Sequence, residues 1–195
     1  MALGLGLFVL MVLLVVYPGW GFGPDHAIRT LIAPIRTPEL TQWVIRFTAL
    51  GAVPSMSIFS LFVLLYLFFR HRLQDLAYYL FSLLGASLLF VAVKMLVQRP
   101  RPSFDIVEVG GYSFPSGHAT MAAALAVTLY LIFSKEFTSG IGRAGWFILC
   151  LFWALCIAAS RVYLDVHWLS DVLAGLGLGL FWGLLGARLF HRTAI

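Results

Sequence analysis

The chain has 195 residues, of which 62% are hydrophobic and 11% charged, and its mean hydropathy is +0.97. One small soluble core could not hide so much apolar surface, so a water-soluble globular domain is excluded. The net charge of +5 would fit nucleic acid, but basic residues scattered at the ends of apolar stretches are what membrane anchoring produces, and no nucleic-acid partner is expected.

In chain order, uncharged apolar stretches occupy residues 1–24, 47–69, 76–93, 119–134, 144–160 and 172–187. Several fall short of the ~20 residues that cross a bilayer, yet each can extend into polar flanks that reach the interface. The expectation is an all-α polytopic membrane protein with six transmembrane helices, folded as a single domain over residues 1–195. No Lys or Arg precedes Arg29, so the first stretch reads as a retained helix rather than a signal peptide.

Residues 17–46 depart from this pattern. Pro18, Gly19, Gly21, Gly23, Pro24, Pro34 and Pro38 punctuate them, while Ile28, Leu31, Ile32 and Ile35 recur at helical spacing with Arg29 and Arg36 between. That pattern predicts one or two short amphipathic helices lying at the interface between the first and second spans. Residues 98–115, with Pro100, Pro102, Gly110, Gly111 and Pro115, read as a shaped loop. Cys150 and Cys156 are six apart on one predicted helix, roughly 9 Å along its axis and too far to bridge, so they are expected as core residues.

With the N-terminus inside, the cytoplasmic ends carry Arg70, Arg72, Lys135, Arg143, Arg188 and Arg192. The outer ends carry Arg29, Arg36, Arg46, Lys94, Arg99, Arg101 and Arg161. Raw counts do not choose a side. Once Lys94, Arg101 and Arg161 are set aside for a binding site, the remainder favours an inside N-terminus with the third and fifth loops facing outward.

The polar residues collect at one end of the predicted bundle. Lys94 and Arg101 lie at and beyond the end of the third span, Ser116, Gly117 and His118 open the fourth, Arg161 ends the fifth, and His167 with Asp171 opens the sixth. Because successive spans alternate in direction, all of these residues reach one membrane face. Ionisable groups near a bilayer core cost several kcal/mol unless paired or hydrated, which marks the collection as functional. Lys94, Arg101 and Arg161 form an anion pocket with two guanidinium forks suited to phosphate oxygens, and Pro100 and Pro102 fix the approach of Arg101. Ser116 suits a helix N-cap, and Gly117 lets a phosphoryl group approach the free N–H groups at the positive helix end.

His167 and Asp171 are i and i+4 on one helix face, so the carboxylate can accept from one imidazole nitrogen and leave the other free to attack. His118 comes from another helix and can serve as acid and then base. The types of His118, His167 and Asp171 would also suit zinc, but three adjacent cations would repel a divalent metal and already supply its electrostatic work, so no metal ligand and no cofactor is expected.

These residues fall into three ordered segments. "KMLVQRPRP" holds Lys94 and Arg101-Pro102, "PSGH" runs from Pro115 to His118, and "SRVYLDVHWLSD" holds Arg161, His167 and Asp171. Together they resemble the three signature motifs of the type 2 phosphatidic acid phosphatase superfamily. The resemblance implies a magnesium-independent integral membrane lipid phosphatase. On that likeness His167 would be the nucleophile forming phosphohistidine, Asp171 its orienting partner, and His118 the general acid and base. Lys94, Arg101, Ser116, Gly117 and Arg161 would bind phosphate.

Asp165 stands where relatives often carry glycine. A solvated loop carboxylate is the expected reading, with pairing to a nearby cation as the alternative. Asp105 and Glu108 raise the same question for substrate choice, and Tyr112, Tyr163 and Trp168 are interfacial aromatics that could meet a lipid.

The expected function is removal of a terminal phosphate from a lipid mono- or diphosphate, with membrane lipids as the surroundings and the pocket toward the outer face of a bacterial inner membrane. Undecaprenyl diphosphate is the favoured substrate by analogy. Phosphatidylglycerol phosphate, phosphatidic acid and lipid A phosphates are the alternatives. A lipid phosphate transporter would spread its charges over several depths, and a binding protein would have no use for the His167–Asp171 pair.

Overall fold

The computed structural model describes residues 1–17, 19, 22–102 and 106–190. Pro18, Gly21, Asp105 and Arg192 lie outside the described residues. The chain forms α1 (Ala2–Val16), α2 (Gly23–Ile32), a 3-10 turn (Ala33–Ile35), α3 (Pro38–Thr48), a second 3-10 turn (Ala49–Gly51) and α4 (Val53–Phe69). It continues with α5 (Leu73–Val97), α6 (Gly117–Phe133), a third 3-10 turn (Ser134–Glu136), α7 (Gly140–Tyr163) and α8 (Leu169–Phe190). Among the described residues there is no strand.

Four helical segments are long and apolar enough to cross a membrane: Leu73–Val97, Gly117–Glu136, Gly140–Tyr163 and Leu169–Phe190. A fifth candidate is a bent pair, Pro38–Gly51 with Val53–Phe69, which turns by 43°. The stretch 47–69 is therefore not one straight span. Ala52 is extended at φ −77° and ψ 156°, and Pro54 in the first turn of α4 has no N–H to continue the preceding ladder. α1 is apolar but has only 15 residues.

Helix ends follow local chemistry. Thr37 and Ser139 cap α3 and α7 by accepting from Leu40 N at 3.2 Å and Gly142 N at 3.0 Å. Gln98 takes a left-handed conformation at φ 54° and ends α5 just before Pro100. The amphipathic pattern of residues 28–35 appears as α2 and its 3-10 extension. Ile28 and Ile32 pack against the buried side chains of Ala158, Val162 and Val172, whereas Leu31 and Ile35 are exposed.

α6 and α8 are the most buried of the long helices. In lipid, burying apolar side chains drives little association, so close packing of small residues must hold helices together. A Cβ added at Gly179 would lie 2.2 Å from Thr120 O, and one at Gly175 would lie 2.6 Å from Ser116 O. Only glycine lets α8 lie this close along α6, and the second contact is at the end where the motif residues gather. At the other end, Arg72 joins α5 to α6 by donating to Asp75 Oδ2 at 2.7 Å and Ile132 O at 2.8 Å, and by pairing with Glu136.

Candidate active site

The loop after α5 cannot stay helical through Pro100 and Pro102, so it turns back over the bundle end. Arg101 organises this turn. Its Nε donates to Gly111 O at 3.1 Å, its Nη2 to Gly110 O at 3.0 Å and its Nη1 to Val166 O at 2.7 Å. Lys94, in the last turn of α5, donates to Tyr112 O at 2.8 Å. Arg161, in the last turn of α7, donates from Nη1 to Thr48 Oγ1 at 3.1 Å.

These three cations share a cavity of ≈ 420 Å³ with Gly117, His118 and His167. Helices α5, α6 and α7 and the α7–α8 turn all deliver their contribution to one end of the bundle, as alternating direction predicts. The cavity continues between α4 and α5 along an apolar wall that includes Met56, Leu64, Leu80, Leu83 and Leu84. It therefore joins a cationic head to a hydrocarbon-lined groove.

Two motif residues stand behind the cavity instead of lining it. Ser116 is fully buried, and its hydroxyl accepts from Ala119 N at 3.5 Å as the N-cap of α6. Its backbone N–H donates to Asp171 O at 3.0 Å, tying the start of α6 to the start of α8. Asp171 is fully buried and faces His167, whose Nδ1 lies 3.4 Å from Oδ2. This is a long hydrogen bond of the kind that tightens when charge develops on the ring. Trp168 N also donates to Oδ2, at 2.9 Å. The remaining ring nitrogen, His167 Nε2, lies 3.2 Å from Arg101 Nη1 and faces the cavity side.

Burial pushes the His167 imidazole down to about 4; Asp171 opposes the shift, and Arg101 and Lys94 add to it. The ring is thus neutral at neutral pH, as a nucleophile requires. Burial also lowers Arg101 below its ordinary value, with Asp171 opposing.

Asp165 is not a solvated loop carboxylate. It is buried, receives two hydrogen bonds from Arg29 Nε at 2.9 and 3.0 Å and pairs with Arg36 Nη2 at 3.6 Å. Pairing with cations, the alternative reading, is what the structure has. The Asp165 φ of 57° lies in the left-handed region, which glycine enters without strain and aspartate only rarely. Glu108 is exposed. Trp168 packs its ring under the guanidinium groups of Arg29 at 5.9 Å and Arg99 at 5.2 Å. Among the described residues, no group of three or more His, Cys, Asp or Glu side chains could hold a metal ion.

Asp25, Thr48, Arg99 and Ser170 stand behind the cavity residues, and no motif in the sequence marks them. Arg99 reads from sequence as an outer-face cation, yet it is 1% exposed and binds both Asp25 and Asp171. The only cue was an unexplained acid, Asp25, in the first turn after Pro24, and a partner 74 positions away leaves no local periodicity.

The profile of the PAP2 superfamily matches residues 75–194, which include every cationic and imidazole side chain of the cavity named above. This chain belongs to the PAP2 superfamily. Its PAP2 relatives include phosphatidylglycerophosphatase B of Bacillus subtilis (strain 168), 31% identical over 159 residues, which cover 80% of this chain and 78% of that protein. The undecaprenyl-diphosphatase of Sulfolobus acidocaldarius is 43% identical over 68 residues, covering 35% of this chain and 29% of its own length. Against the crystal structure of the transmembrane PAP2-type phosphatidylglycerolphosphate phosphatase from Bacillus subtilis the TM-score is 0.88 at 27% identity, over 100% of this chain and 98% of that one. The PAP2 fold thus extends beyond the matched segment to α1, α2, α3 and α4, and the chain is an integral membrane phosphatase of this superfamily.

Proposed function

We propose that this PAP2 protein removes the terminal phosphate of a lipid phosphate through a phosphohistidine on His167. The observation that carries the reading is the shared cavity, where two imidazoles and three cations meet the mouth of an apolar groove. Lys94, Arg101 and Arg161 hold the phosphoryl oxygens, together with the N–H groups at the start of α6 beside Gly117. The lone pair of His167 Nε2 attacks phosphorus. The bond from phosphorus to the lipid oxygen breaks as protonated His118 delivers its proton to that oxygen. Water then gives a proton to His118 and its oxygen to phosphorus, the P–N bond breaks, and inorganic phosphate leaves with both histidines restored.

The substrate we put first is phosphatidylglycerol phosphate, because similarity in sequence and in structure to a Bacillus subtilis phosphatase named for that activity runs along most of the chain. Undecaprenyl diphosphate, favoured from sequence by analogy, becomes the second reading; its support is the 43% identity over 68 residues. In the threading that fits this chemistry, α1, the bent α3–α4 pair, α5, α6, α7 and α8 make six crossings. α1 reaches roughly 22 Å and needs its flanks to complete the ~30 Å hydrocarbon core. The N-terminus is inside, and the pocket opens to the outer face of a bacterial inner membrane.

The test is a panel of pure lipid phosphates in detergent, with released phosphate measured for each and for His167→Ala. Phosphatidylglycerol phosphate should turn over fastest, His167→Ala should lose at least roughly a thousandfold in kcat, and EDTA should leave the rate unchanged. Full activity of His167→Ala would remove the mechanism, and loss on chelation with recovery on added metal would replace it with a metal-dependent one.

A further inference from the structure

Behind His167 lies an ionic group that spans three separate parts of the chain. Arg99 Nη1 donates to Asp171 Oδ1 at 2.6 Å, and Arg99 Nη2 donates to Asp25 Oδ2 at 2.8 Å. All three side chains are at most 1% exposed. Asp25 also accepts from Ser170 N at 2.8 Å and from Ser170 Oγ at 2.6 Å, so a carboxylate from α2 caps the first turn of α8.

The charges make this more than an anchor. When His167 carries a phosphoryl group or a proton, Asp171 must offset the positive charge on the ring. Arg99 lies closer to Asp171 than the ring does, at 2.6 Å against 3.4 Å. In a buried setting, a guanidinium in that place would by itself cancel the carboxylate and leave little field at the imidazole. Asp25 supplies the second negative charge. Two carboxylates around one guanidinium leave a net −1 behind His167, with Asp171 clamped on both oxygens.

We propose that Asp25 and Arg99 are positioning residues for the nucleophile: Arg99 fixes the Asp171 carboxylate, and Asp25 restores the negative charge that Arg99 would otherwise remove. The interfacial helix α2 is thereby part of the catalytic apparatus. This rests on His167 as the attacking group, and activity in His167→Ala would refute that reading separately.

The experiment is a double-variant cycle on the full chain in detergent, reading kcat and KM with a lipid phosphate and checking each variant by size-exclusion profile and thermal midpoint. Asp25→Asn should lower kcat by about 10- to 100-fold and leave KM within about twofold, because the cavity's phosphate ligands are untouched. Arg99→Gln in the Asp25→Asn background returns the net charge to −1 and should recover most of the lost kcat, so the two changes are strongly non-additive. Wild-type kcat in Asp25→Asn, or losses that simply add in the double variant, would overturn the proposal. Should Asp25→Asn fail to fold, the double variant decides alone: folded and active within about tenfold supports the charge account, and folded but inactive sinks it. Asp25→Glu keeps all three charges and should retain at least about tenfold more kcat than Asp25→Asn, whereas equal losses in the two variants would overturn the proposal.

Discussion

Asp171 makes contacts on both oxygens, and its neighbours define what its loss should do. Asp171→Asn keeps the shape but weakens the acceptor for His167 and leaves Arg99 with one carboxylate instead of two. Its kcat should fall less than that of His167→Ala, because support is lost while the attacking atom remains. The pH profile tests the imidazole itself. Since burial holds His167 at about 4, it is neutral above that pH and protonated, unable to attack, below it. The acid limb of kcat/KM should therefore fall near pH 4, and a limb near the ordinary histidine value of ~6.5 would contradict the burial argument. Most of these residues were legible from motif chemistry, because histidine, arginine and carboxylate types restrict what a membrane site can do. The difference between Arg99 and Arg101 was not legible. Each has a proline directly after it, and only the turn of the chain sends one into the cavity and the other behind Asp171.

The elements that carry the site depend on two kinds of junction. The first is the glycine contact between α6 and α8. Gly179→Leu forces a side chain into Thr120 O, and the separation of the helices should cost about 1–3 kcal/mol or more and displace His118 from His167. Both the thermal midpoint and kcat should drop, while Gly145→Ala, where the added Cβ meets nothing within 4 Å, should change neither. The second is the clamp of Arg29 and Arg36 on Asp165, which holds α2 and its 3-10 extension on the α7–α8 turn. Asp165→Gly relieves the left-handed backbone but removes the carboxylate that Arg29 and Arg36 share, so the thermal midpoint should fall while the protein remains catalytically competent. Activity lost before any drop in thermal midpoint would give Asp165 a direct role. Long helices were readable from apolar runs. The break at Ala52 was not, since Gly51 and Pro54 inside an uncharged stretch weigh little against its hydropathy.

Taken as a whole molecule, the bundle gathers its two histidines and three cavity cations at one end and Arg70, Arg72, Arg143 and Arg188 at the other. The proposed threading gives a labelling test. Cysteine at Glu108, exposed in the loop over the cavity, should react with a membrane-impermeant maleimide in intact spheroplasts, and cysteine at Glu136, beyond α6 at the opposite end, should react only after permeabilisation. The reverse pattern would put the pocket inside. The cavity that holds the two histidines also constrains transport. Its ionisable lining sits at one end, with apolar and uncharged residues further along the groove, so a path of charges at successive depths is absent from it.

Membrane residence, helical class and the chemistry at one face came from the sequence alone, because hydropathy restricts the backbone to helices and alternating spans leave little freedom in which ends meet. The motif set likewise singled out Lys94, Arg101, Gly117, His118, Arg161 and His167, which line one cavity, but not that Ser116 stands behind it. Tertiary structure decided what stands behind them: Asp25 opposite Arg99, Asp165 under Arg29, and glycine-narrow spacing between α6 and α8. The physical reason is that a buried ion pair carries no local periodicity. Its energy depends on desolvation and on a partner distant in the chain, and both are properties of the packed fold.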